Sequence, residues 1–105
     1  MSMRSVQKQV DEWVNQYTEG YSKPLEILAR LVEETGEVAR EINHQFGPKK
    51  KKSTEKSSNL GDEIGDVIFT LACLANSLGI DIDKYFARVM KKYSQRDKNR
   101  FKKKP

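Results

Sequence analysis

The sequence predicts an all-α fold: one bundle of helices, completed by oligomerisation. Four stretches place apolar residues at three- and four-residue intervals, and glycine or Gly-Pro punctuation separates them. A chain of 105 residues, 36% of them hydrophobic, suffices for a single domain over 1–105 with a modest core. A core shared with a second copy would add to that burial.

The first helix reads as residues 4–18. Val6, Val10, Trp13 and Tyr17 keep the helical spacing, Val14 widens the stripe, and Gly20 ends the run. Trp13, Tyr17 and Tyr21 offer aromatic faces on which a nucleobase could stack, but Trp13 and Tyr17 lie on the stripe and have core packing as the plainer role. The second helix runs from Pro24, whose missing N–H costs nothing in a first turn, to about Phe46, before Gly47-Pro48. Its stripe is Leu25, Leu28, Val32, Ala39, Ile42 and Phe46. Residues 47–58 are rich in lysine and serine without periodicity, and read as a mobile basic loop.

Asn59 caps a third helix with the stripe Leu60, Ile64, Val67, Leu71, Leu74 and Leu78, ended by Gly79. Gly36, Gly61 and Gly65 are poor helix formers beside acids, which suggests close approach of a backbone or ligand. Asp81 starts a fourth helix, whose apolar face is Ile82, Tyr85, Phe86, Val89, Met90 and Tyr93. Lys92, Arg96 and Arg100 follow at four-residue spacing along one strip, before a frayed basic tail at 101–105.

The acids give the chain its chemistry. Glu34 borders the second stripe beside Leu31 and Val38, with Glu37 three residues on and on the same side; Glu63 and Asp66 repeat the arrangement on the third helix. One such pair is ordinary helix surface, but two in matching positions can face one another across a seam. Clustered carboxylates there repel and lose hydration unless a cation neutralises them. Oxygen donors without His or Cys suit Mg²⁺ or Mn²⁺. Glu33 lies about 100° from Glu34 and off that strip.

The net charge is +5, yet ten of the twenty basic residues fall between Lys84 and Lys104, and another cluster is Lys49 to Lys52 with Lys56. A negative centre inside a positive periphery suits a bound metal and a polyphosphate. No apolar run approaches a membrane span and no signal peptide is evident, so a cytoplasmic protein is expected. Cys73, the only cysteine, excludes an internal disulfide and reads as a small packed residue; His44 reads as a surface residue near a helix end.

The string Glu33-Glu34-x-x-Glu37, followed by Glu63-x-x-Asp66, resembles the signature of the MazG-type nucleotide pyrophosphohydrolases. The resemblance extends from the first helix to Arg100 and is closest to the small single-domain bacterial members. It implies the all-α bundle of that enzyme type, assembled as a homo-oligomer, either dimer or tetramer. It also implies Mg²⁺-dependent cleavage of a nucleoside triphosphate into monophosphate and pyrophosphate, with Mn²⁺ as a substitute ion. The implied metal ligands are Glu34, Glu37, Glu63 and Asp66; Glu33, off their strip, is a further catalytic candidate that could orient a water or contact a neighbouring subunit. Lys92 and Arg96 match the groups that grip the triphosphate, Arg100 is an additional candidate, and Trp13 falls on the helix that walls the base pocket. Related enzymes act on dUTP, dCTP or phosphoribosyl-ATP, which the acids do not separate. The rival from another class is a non-enzymatic basic helical module that binds nucleic acid; such a binder gains nothing from four acids at a helix seam, so nucleic acid is not the expected partner.

Overall fold

Each helix begins where a side chain or a proline satisfies the first turn. In the computed structural model, which describes residues 2–48 and 59–105, the elements are α1 (Met3–Val14), α2 (Pro24–Phe46), α3 (Leu60–Ser77) and α4 (Ile82–Arg96). Ser2 caps α1 by accepting from the Ser5 N–H, Pro24 opens α2, and Asp81 caps α4 by accepting from the Asp83 N–H at 3.1 Å. Asn59 Oδ1 accepts from the N–H groups of Gly61 at 2.7 Å and Asp62 at 3.4 Å. Asn59→Ala should therefore lower stability by about 1 kcal/mol in chemical denaturation, with the slope of the transition unchanged. Past α3, Gly79 takes the left-handed conformation (φ +67°) that turns the chain into α4. The basic stretch expected to be mobile lies outside the described residues from 49 to 58, and residues 101–105 carry no helix.

The first helix is shorter than its periodicity suggests. It stops at Val14, the Tyr17 N–H reaches back to the Val14 carbonyl, and Gly20 (φ +66°) sits in the turn beyond. Tyr17 thus falls beyond the helix, and Trp13, still within it, is 52% exposed, so neither is in the core.

α3 is the central helix, with α2 and α1 packed on it and α4 resting on α1. Val10, Val14 and Ala72 form the buried centre, surrounded by Val6, Tyr21, Phe69 and Cys73. A polar network fixes α1 against the turn between α3 and α4. Gln7 donates to the Asn76 side chain and the Ile80 carbonyl and accepts from the Ile82 N–H. Asn76 donates to the Tyr21 hydroxyl, which donates to Asp11 at 2.7 Å; burial, reinforced by that carboxylate, pushes the phenol up to about 12. Asp83 accepts from the N–H groups of Met3 and Arg4, placing a negative charge at the positive end of α1.

α2 differs from expectation in a way that matters for assembly. Its sheltered side is Ile27, Leu31, Glu34, Val38 and Glu41, of which Ile27 and Glu41 are buried. The apolar stripe Leu25, Leu28, Val32, Ala39, Ile42 and Phe46 lies roughly 110° away around the helix and is exposed, Leu25 and Phe46 at 79%. On α3, Ile64, Ile68 and Leu71 are exposed as well, as is its C-cap Leu78, and α4 buries no residue. The radius of gyration is 17.5 Å, against about 13 Å for a compact chain near this length. No single described helix is long and apolar enough to cross a membrane.

Gly36 and Gly65 are not close-approach positions among the described residues, since an added Cβ at either meets none of them within 4 Å. His44 is half-buried rather than a surface residue, because it follows Glu41 on the sheltered side of α2.

Candidate active site

The sheltered strip of α2 brings Glu34 to α3, where Glu63 lies in the first turn and Asp66 one turn further on. One carboxylate oxygen from each of Glu34, Glu63 and Asp66 falls within 4.8 Å of the others. Glu34 and Glu63 are sheltered, while Asp66 faces solvent. Three oxygen donors at this spacing, open on one side, fit a hard divalent cation that keeps coordination positions for water and phosphate oxygens.

Glu37 stands about one turn along from Glu34, outside this trio, with its carboxylate 4.0 Å from Arg40 Nη1. Glu33 is exposed on another side of α2. The structure thus gathers three of the four predicted ligands directly, because the α2–α3 contact favours the Glu34 side of the helix.

The predicted phosphate-binding cations occupy a different region. Arg96 pairs with Asp97 at 3.1 Å and lies over the Tyr93 ring, Lys92 lies over the same ring, and Arg100 approaches Asp97 at 3.5 Å. All three are exposed, and α4 has no packing against α2 comparable to its contact with α1.

Beside the acids is a cavity of about 260 Å³ between α1, α2 and α3. Trp13, Ile27, Arg30, Phe69, Thr70 and Cys73 are among the residues that line it, and Trp13 meets Phe69 edge-on with ring centroids 5.7 Å apart. The cavity follows the seam that carries the acids. Thr70 donates to the Asp66 carbonyl at 2.9 Å, and Arg30 Nη2 lies 3.7 Å from Glu34 Oε1. Burial raises the Cys73 thiol, which keeps it protonated and agrees with a packing role.

Arg30 and Phe69 escaped the sequence reading, as did the burial of Glu41. Arg30 had one available signal: it precedes Glu34 by four residues and so shares its strip.

The fold is all-α, with a carboxylate trio on the α2–α3 seam and an aromatic-walled cavity between α1, α2 and α3. Residues 22–101 match the family described as the MazG nucleotide pyrophosphohydrolase domain, and the chain belongs to that family. It is 50% identical to YpjD of Bacillus subtilis (strain 168), over 95% of this chain and 90% of the relative, and 31% identical to YvdC of the same organism, over 87% and 92%. The crystal structure of Bacillus subtilis YPJD superposes with a TM-score of 0.79 at 49% identity, covering 89% of this chain and 95% of that one. A second crystal structure, of the Bacillus-conserved MazG protein, a nucleotide pyrophosphohydrolase, gives 0.77 at 42% identity over 89% and 90%. The chain is thus an enzyme of the nucleotide pyrophosphohydrolase class.

Proposed function

We propose that this enzyme is a Mg²⁺-dependent nucleoside triphosphate pyrophosphohydrolase that releases the monophosphate and pyrophosphate. The observation that carries this reading is the carboxylate trio Glu34, Glu63 and Asp66 at the edge of an aromatic-walled cavity. These residues, with Glu37 one turn on, would hold Mg²⁺ or Mn²⁺; when bound, such an ion polarises phosphoryl oxygens and offsets their charge. Trp13 and Phe69 give the cavity aromatic walls suited to a base. Glu33, outside the trio, has the role of orienting a water.

Lys92 and Arg96, with Arg100 beyond them, balance the negative charge of the outer phosphates. Since α4 packs on α1 rather than on the acid-bearing side of α2, we assign these cations to substrate held on a second copy. The exposed stripe of α2, from Leu25 to Phe46, and that of α3, from Ile64 to Leu78, form the contact between copies in a dimer or a dimer-derived tetramer. A nucleotide substrate favours a cytoplasmic setting.

The test is product analysis. With Mg²⁺ and a panel of nucleoside triphosphates that includes dUTP and dCTP, ³¹P NMR at early times should show equal amounts of monophosphate and pyrophosphate. A nucleoside diphosphate with orthophosphate would mean attack at the terminal phosphate and overturn the reading. The same panel, extended to phosphoribosyl-ATP, assigns the base and sugar.

A further inference from the structure

Among the described residues, Arg30 is the one basic residue lining the cavity, and it stands between that cavity and the acids. On one side it shares a wall with Phe69, Thr70 and Cys73; on the other its Nη2 is 3.7 Å from Glu34 Oε1. The side chain is 66% exposed, so the ion pair is a weak restraint and the guanidinium is free to turn.

A nucleotide runs in the order base, sugar, phosphates. With its base in the cavity and its phosphates at the carboxylates, the segment that passes Arg30 is the sugar and the first phosphate. A guanidinium presents its donors as a rigid fork that matches two phosphate oxygens. The α4 cations stand elsewhere, so among the described residues Arg30 is the cation placed to meet the substrate from the same chain as the acids.

Resting on the pyrophosphohydrolase reading, we propose that Arg30 is a substrate-binding residue that exchanges partners: it neutralises Glu34 in the free protein and moves to the α-phosphate when metal and nucleotide bind. Two consequences of opposite sign follow. Without nucleotide, the guanidinium competes with the ion for Glu34, so its loss strengthens metal binding. With nucleotide, its loss removes a charge-assisted contact and weakens substrate binding.

The experiment compares wild-type protein, Arg30→Gln and Arg30→Lys. Mn²⁺ affinity of the nucleotide-free protein is measured by electron paramagnetic resonance. Affinity for the α,β-imido analogue of the nucleotide hydrolysed fastest is measured by calorimetry, and circular dichroism confirms equal folding. Arg30→Gln should bind Mn²⁺ about two- to fivefold more tightly, the size of effect expected for loss of an exposed ion pair. It should bind the analogue about ten- to a hundredfold more weakly, as for loss of a charged hydrogen bond. Arg30→Lys should return Mn²⁺ affinity to near the wild-type value but recover only part of the analogue affinity, because lysine keeps the charge without the fork. Mn²⁺ affinity that falls in Arg30→Gln would show that the arginine supports the carboxylates instead of competing at them, and would overturn the proposal. So would unchanged analogue affinity in Arg30→Gln while the wild-type protein hydrolyses triphosphates, a result that leaves the function standing. Wild-type protein that neither binds Mn²⁺ nor hydrolyses triphosphates would remove the function and the role of Arg30 together.

Discussion

Glu63→Gln should lower kcat/KM by at least about a hundredfold, since removing one ligand forfeits several kcal/mol of charge stabilisation at the reacting phosphoryl group. The substitution keeps the size and hydrogen-bonding shape of the side chain while removing its charge. Among the described residues, Glu63 is one of three carboxylates whose oxygens meet within 4.8 Å, and the two that remain form a poor site for a hard cation. Mn²⁺ affinity should fall with activity, and the melting temperature should stay near the wild-type value or rise, because a charge is removed from a repelling cluster. Glu34→Gln and Asp66→Asn should behave alike. Glu33→Gln should leave Mn²⁺ affinity unchanged, because Glu33 is exposed on another side of α2. Glu37→Gln measures whether a bound ion draws that carboxylate away from Arg40. Full activity in the Glu37→Ala, Asp66→Ala double variant, or in excess EDTA, would rule out the site.

Mixing two inactive variants should restore activity. If each site combines acids from one copy with Lys92 and Arg96 from another, refolding Glu63→Gln together with a Lys92→Ala, Arg96→Ala variant at equal amounts gives about a quarter of sites with both native halves, by random pairing in a symmetric assembly. If acids and cations belonged to the same copy, every site would keep one defect and recovery would be near zero. Each variant alone should be at least about tenfold down, since a charged hydrogen bond to phosphate contributes that much or more. The double α4 variant should keep its Mn²⁺ affinity, since those cations act through substrate and not through the ion. Light scattering supplies the matching control: a mass near 12.1 kDa at micromolar concentration would mean that no second copy is present to share a site.

The sequence by itself determined the number of helices and most of their ends. Pro24, Asn59, Asp81 and Gly79 act through local backbone chemistry, so their roles are legible without knowing what packs where. The family was legible for a similar reason, since Glu33 to Glu37 and Glu63 to Asp66 form a short ordered pattern. The tertiary structure decided which faces meet. Periodicity shows that α2 has an apolar stripe, but a stripe carries no record of its partner, and the chain packs Ile27, Leu31 and Glu34 against α3 while leaving Leu25, Val32 and Phe46 outside. That choice of face separates Glu34 from Glu37 and brings Arg30 to the cavity edge. The end of α1 at Val14 likewise depended on tertiary context, because the turn that follows sends Tyr21 into the Asp11–Asn76 network, where hydrogen bonds between residues distant in sequence outweigh the helical spacing of Trp13 and Tyr17. Short-range chemistry is written in adjacent residues. The pairing of surfaces depends on the relative free energies of competing contacts, which no single helix encodes.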